Sequence, residues 1–200
     1  MGAAMRYEEL DDTTRRWMLE ELEEEEAHRP YRAPGLSVQG RERFARLLRE
    51  AIERGSEETL TSSLASPEMW SELGPLPHGG VGPVDPRQAA VALARMEFNT
   101  WYVRGLCRRL LEEGEEYCQI YRAWDGDGSP DECDLLENRV LPVRPIYQAH
   151  RAKYHPHRRP EAFSIPSGPG CKHSVRRLPS GMKALIEMEE QDMGSSLRRA

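Results

Sequence analysis

At 200 residues, 38% of them hydrophobic and 31% charged, the chain is long enough for one buried core and carries a large polar surface. No run of about 18 apolar residues occurs, which excludes a membrane-spanning helix of the usual kind. The net charge is −6, but the signs are segregated. LEELEEEE places glutamates at 20, 21, 23, 24, 25 and 26, whereas 139–181 holds Arg139, Arg144, Arg151, Lys153, Arg158, Arg159, Lys172, Arg176 and Arg177 against the lone acid Glu161. Such polarity points to a polyanionic partner at one end, or to acidic and basic parts that neutralise each other.

The opening MGAAMRYEELDD lacks the apolar stretch of a secretory leader, and Arg6 stands where a myristoylation signal wants Ser or Thr. The expected setting is cytoplasmic. Cysteines 107, 118, 133 and 171 are too few and too irregular for a disulfide framework, so they are expected as free thiols or ligands.

In chain order, LDDTTRRWMLEELEEEE predicts a helix capped near Asp11 to Thr13, with Leu10, Trp17, Met18 and Leu22 as a narrow apolar stripe. A second helix follows PYRAPG, with Ser37 as N-cap, Gly55 past its end and Phe44, Leu47, Leu48, Ala51 and Ile52 on one face. Residues 56–65 predict a short helix, and Pro67 opens a further turn. These make an N-terminal helical region over 1–73. GPLPHGGVGPVDP then reads as a Gly/Pro-rich linker or loop over 74–85.

Asp85 and Pro86 supply the cap and first residue of a long central helix over 86–114, which Gly114 ends. Its apolar residues cover more than one face, so it is expected at the centre of the fold or shared with a neighbouring subunit. A small basic β-rich lobe is expected over 115–181, with strands at 116–124, 138–143, 162–166 and 171–178 kept short by proline. An amphipathic helix from about Met182 to Met193 with a frayed tail would complete 182–200. The fold class is α+β.

Three constellations could carry chemistry. In FSIPSGPGCKHSVRRLP, Cys171 and His173 would share one side of a strand, and with Cys133 they make a candidate zinc set, although only one close ligand pair exists. A packed thiol and a surface histidine are the plainer reading. The basic setting of Cys171 would favour its thiolate, so a thiol-dependent enzyme is a second option. No nucleophile elbow, zinc-protease helix, phosphate loop or dinucleotide fingerprint occurs, which weighs against an enzyme. DGDGSPDE matches only the first half of a calcium loop and reads as a polar turn.

The third constellation is cationic. HRAKYHPHRRP interleaves rings and charges, so Arg151, Lys153, Tyr154, Arg158 and Arg159, with Lys172, Arg176 and Arg177, form a candidate polyanion-binding surface. The alternative is that these cations simply offset the glutamate-rich helix in the same molecule or a neighbour.

One order of features resembles a known family. An E-x-N-x-x-Y-x-R-G element (Glu97, Asn99, Tyr102, Arg104, Gly105) on a long helix is followed by CQIYRAW, then DECDLLEN, then a proline-rich entry into GPGCKH. This is similar to the C-terminal module of the minor head proteins of tailed phages, typified by the Mu F protein, over about residues 90–178. Cys133 stands where that family has a close cysteine pair, which leaves any shared cysteine role open. The resemblance implies a non-enzymatic structural or assembly protein of a phage or prophage-like particle, present in the cytoplasm during assembly and in the virion. It would contact itself, other virion proteins, DNA or an acidic partner, with no cofactor. The alternatives from the residues are a nucleic-acid-binding or -modifying protein with a Cys/His zinc site, and an enzyme using Cys171.

Overall fold

The computed structural model describes residues 4–28, 30–75, 80–126, 135–152, 163–168 and 170–183. They form an α+β fold around one long helix. Helix α1 (Asp12–His28) starts where Asp11 accepts a hydrogen bond from the Thr14 amide. Helix α2 (Val38–Arg54) is capped by the Ser37 side chain on the Gly40 amide, and α3 (Glu57–Leu64) by Ser56 on Thr59. A 3-10 turn at Pro67–Met69 follows. Each cap satisfies an amide that the first helical turn leaves without a partner, typically worth about 1 kcal/mol.

The stretch expected as a plain linker contains a two-stranded ribbon, β1 (Leu73–Pro75) against β2 (Val81–Pro83), in register Gly74↔Gly82. Its Gly/Pro composition hid the pairing. Helix α4 (Pro86–Glu112) begins as expected, with the Asp85 carboxylate accepting from the Arg87 and Gln88 amides. Gly114 follows it at φ +76°, a left-handed conformation that suits glycine. β3 (Tyr117–Arg122) then pairs antiparallel with β4 (Val140–Pro142) on one side and β5 (His173–Arg177) on the other, with Ile120 opposite Val175.

Two further departures from the expected elements have local causes. Residues 143–148 form a short helix, α5 (Val143–Gln148), which a proline-interrupted six-residue stretch does not announce. Phe163 to Pro166 do not form the expected third strand. Pro166 has no amide to give to a ladder, and Ser164 Oγ turns back onto the Pro166 carbonyl. Residues 180–183 are helical, and the rest of the expected final helix lies outside the described residues.

The core is continuous across the helices and the sheet. Phe98, Trp101, Leu106 and Leu110 of α4 meet Met18 and Leu22 of α1, Leu48 and Ile52 of α2, Leu60 and Leu64 of α3, and Ile120 and Val175 of the sheet. Each such side chain contributes roughly 1.5–3 kcal/mol by leaving water. α1 and α4 approach most closely at Gly105, where an added Cβ would lie 2.7 Å from the Met18 backbone nitrogen. α4 is therefore the centre of this chain's own core. No described helix is long and apolar enough to cross a membrane.

Candidate functional site

Polar residues set into the most apolar part of α4 mark the site. Glu97, Asn99, Thr100, Tyr102 and Gly105 are all buried, and Arg104 is nearly so. A charge in such a place is stable only with a desolvated partner, and each polar group has one. The Glu97 carboxylate receives two parallel bonds from Arg151, Nη1 to Oε1 at 2.8 Å and Nη2 to Oε2 at 2.7 Å. This is the bidentate geometry in which guanidinium pairs are strongest. Arg151 Nε donates to Glu25 of α1 at 2.8 Å, and its guanidinium lies over the ring of Tyr31 at 4.1 Å.

The same helix fastens three more elements. Asn99 donates to the His173 carbonyl at 2.9 Å and accepts from Ser174 Oγ at 2.7 Å, covering the edge of β5 that faces away from β3. Tyr102 Oη accepts from the Glu9 amide at 3.1 Å. Arg104 donates to Glu21 of α1 and to the Tyr147 carbonyl of α5, both at 2.6 Å, and stacks over the Tyr147 ring. Tyr147 Oη in turn donates to Glu21 at 2.7 Å. The E-x-N-x-x-Y-x-R-G element is thus a buried polar hub tying α1, α5, β5 and the N-terminal segment to α4.

Protonation follows from this geometry. Burial alone would push the Glu25 carboxyl up, but the hydrogen bond from His150 (2.8 Å) and the Arg151 charge outweigh it and hold it at about 2. Burial pushes His150 the other way, down to about 4, against the pull of Glu25. At neutral pH the neutral imidazole therefore donates from Nε2 to a charged carboxylate. His150 binds its proton more readily unfolded than folded, so its contribution to stability is complete above about pH 6.5. It is lost as pH falls through about 4, and the Glu25 contribution is lost below its ordinary carboxylate range, toward about 2. Urea midpoints measured from pH 7 to pH 4 should fall progressively, and the His150→Gln variant should show a clearly shallower fall. An unchanged slope in that variant would mean that His150 is not the titrating group.

Four of the eight candidate cationic-surface residues, Arg151, Lys172, Arg176 and Arg177, lie in the described part of the structure. Arg151 is buried in the hub with 3% of its surface exposed, and Lys172 is buried just before β5, where its carbonyl accepts from the Ala123 and Trp124 amides. Arg176 pairs with Glu8 and accepts no role in a free patch, since its Nε also donates to Gln119. Arg177 pairs with Glu9, Glu113 and Glu115. Lys153, Tyr154, Arg158 and Arg159 lie outside the described residues. In the described part of the chain, Glu25, Glu8 and Glu9 of the acidic N-terminal region pair with Arg151, Arg176 and Arg177 of the C-terminal region.

The cysteine and metal readings meet similar facts. Cys171 lies two residues before His173, the first residue of β5, which is buried rather than at the surface; Cys171 Sγ is 3.9 Å from the His173 carbonyl oxygen, and neither His173 ring nitrogen has a hydrogen-bond partner among the described residues. The Glu137 carboxylate lies 3.9 Å from Nε2. Among the described residues no three His, Cys, Asp or Glu side chains converge as a metal site would require. Cys133, the third member of the candidate zinc set, lies outside them.

Cys107, Cys118 and Cys171 are all buried, and the hydrogen bond with Cys118, followed by burial, raises the Cys107 thiol well above the usual range. Iodoacetamide at neutral pH should modify Cys171 at least roughly tenfold more slowly in the native protein than after unfolding, as peptide mapping would show. Native labelling as fast as that of the unfolded chain would revive the thiol-enzyme reading.

No family model matches the chain, and no curated protein or solved structure matches it either. The site is therefore understood from its own geometry. Glu21, Glu25 and His150 are the members that sequence reasoning did not single out. Their signal was indirect: charged and amide side chains at positions 97, 99 and 104, set among the apolar residues Phe98, Trp101, Val103 and Leu106, demand buried partners.

Proposed function

We propose that this chain is a non-enzymatic structural or assembly protein of a phage or prophage-like particle that works through protein contacts, an acidic protein surface being its partner rather than nucleic acid. The observation that carries this reading is the spending of the E-x-N-x-x-Y-x-R-G element. Glu97, Asn99, Tyr102 and Arg104 each hold another part of the chain, and Gly105 admits α1, so the residues most suggestive of a site are occupied in building a rigid body. The resemblance of residues 90–178 to the C-terminal module of tailed-phage minor head proteins supports the setting. The pairing of Arg151, Arg176 and Arg177 with glutamates supports the choice of a protein partner over DNA.

Two observations test this. Portal, terminase or capsid genes beside the coding sequence are the expected surroundings, and a metabolic operon would contradict the proposal. Pull-down of purified head components by the tagged full chain should recover a partner whose contact surface is acidic. Turnover of a small-molecule substrate that depends on Cys171 would overturn the non-enzymatic reading.

A further inference from the structure

A groove of about 400 Å3 runs beside the first half of α4 and reaches the hub at Asn99. One wall is α4 itself, from Arg87 to Asn99, a length of about 18 Å at 1.5 Å per residue. The opposite wall is Trp124 and the loop containing Pro166 and Gly168. The wall's length of about 18 Å matches about five residues of extended chain at roughly 3.3 Å each.

The walls are fixed before anything binds. The Arg95 guanidinium lies 3.6 Å from the Trp124 ring centroid and is anchored by buried Glu57, while Gly126 packs on the same indole. The opposite rim is open: a Cβ added at Gly168 would meet nothing within 4 Å, so a chain can pass over it. Val91 presents its side chain here, 36% exposed, among the few large apolar groups exposed in the described residues.

The charge of the lining is one-sided. Arg87 and Arg95 line the groove, no described carboxylate does, and the whole chain carries −6. Arg95 is matched by Glu57, whereas exposed Arg87 makes no ion pair with any described residue. A cation at one end of an apolar trough selects an extended segment with a carboxylate at one end and apolar side chains along it.

We propose that this groove is the docking site for an extended, acidic and apolar peptide segment of a partner protein. The inference rests on the assembly reading above for its biological setting, but the groove can be tested without it. Backbone groups and alternate side chains of the segment would face α4 and the loop, and its carboxylate would meet Arg87.

The test is selection of 12-residue peptides from a displayed library on the full chain, followed by calorimetric titration of the enriched sequences. Enriched peptides should carry a carboxylate beside alternating apolar residues and bind one to one. Both Arg87→Glu and Val91→Arg, exposed changes whose unchanged melting temperature confirms folding, should weaken binding at least tenfold. Exchanging the peptide's carboxylate for lysine should restore binding to Arg87→Glu. Basic enriched sequences, affinity unchanged in Val91→Arg, or no enrichment would each overturn the proposal. So would a concentration-dependent dimer abolished by Val91→Arg, which would make a second copy the occupant. Groove-dependent peptide binding in a chain from a metabolic operon would sink the assembly reading and leave the groove standing.

Discussion

Replacing Arg151 with methionine is expected to destabilise the protein by about 3–5 kcal/mol, the usual cost of removing one partner from a buried ion pair. The size follows from what stays behind. Glu97 is fully buried and loses both of its guanidinium bonds, and Glu25 keeps only the neutral His150. The residue also holds a left-handed backbone conformation, φ +54°, which the four-way grip on its side chain sustains. In a domain of this size the loss corresponds to a fall in melting temperature of roughly 10 °C or more. Equilibrium urea unfolding measures it directly. The double variant Glu97→Met with Arg151→Met should recover part of the loss, because the buried Glu97 charge is removed with its partner while Glu25 keeps only His150. A single Arg151→Met variant within about 0.5 kcal/mol of the parent, the range of ordinary surface changes, would show that the pair is not buried in solution.

Gly105→Ala should be among the most costly glycine-to-alanine changes in the described residues, together with Gly40→Ala, whose Cβ would lie 2.1 Å from the Met69 carbonyl oxygen. At Gly105 the new Cβ would sit 2.6 Å from Met18 Cγ and 2.7 Å from its backbone nitrogen, so α1 must move as a whole rather than one side chain turn aside. Overpacking of this kind costs typically about 1–3 kcal/mol, and the backbone contact places it at the upper end. The displaced helix carries Glu21 and Glu25, so the hub should loosen with it. Amide exchange should therefore accelerate in α1 and α5 together. Faster exchange in α1 alone would mean that the hub does not couple the two elements.

The sequence and the structure agree best where the signal is local. Asp85 and Pro86 announce α4, Ser37 announces α2, and apolar residues on more than one face of 93–111 announce a helix buried on several sides. The β1 and β2 ribbon was hidden because its glycines and prolines have the composition of a loop, and α5 because six residues cannot show a period. The hub was half legible. Its members on α4 stood out as a motif, but Glu21 lies 83 residues from Arg104 and Glu25 lies 126 from Arg151, and no spacing rule connects positions so far apart. The segregated charges could be read equally as a surface for a polyanion or as two halves of an internal neutralisation. Only the placement of α1 against α4 and the 147–151 turn separates those readings, and that placement is set by apolar side chains such as Met18, Leu22 and Trp101 rather than by the charges.

Internal neutralisation makes the proposed protein partner, rather than nucleic acid, the central claim. Fluorescence anisotropy of a labelled duplex DNA, titrated with the full chain across a range of salt, tests it most directly. The account predicts no saturable binding tighter than about 100 μM at 0.15 M salt, the weak limit of nonspecific DNA binding. Low-micromolar binding that weakens steeply with salt, and is lost in Arg176→Ala with Arg177→Ala, would contradict it.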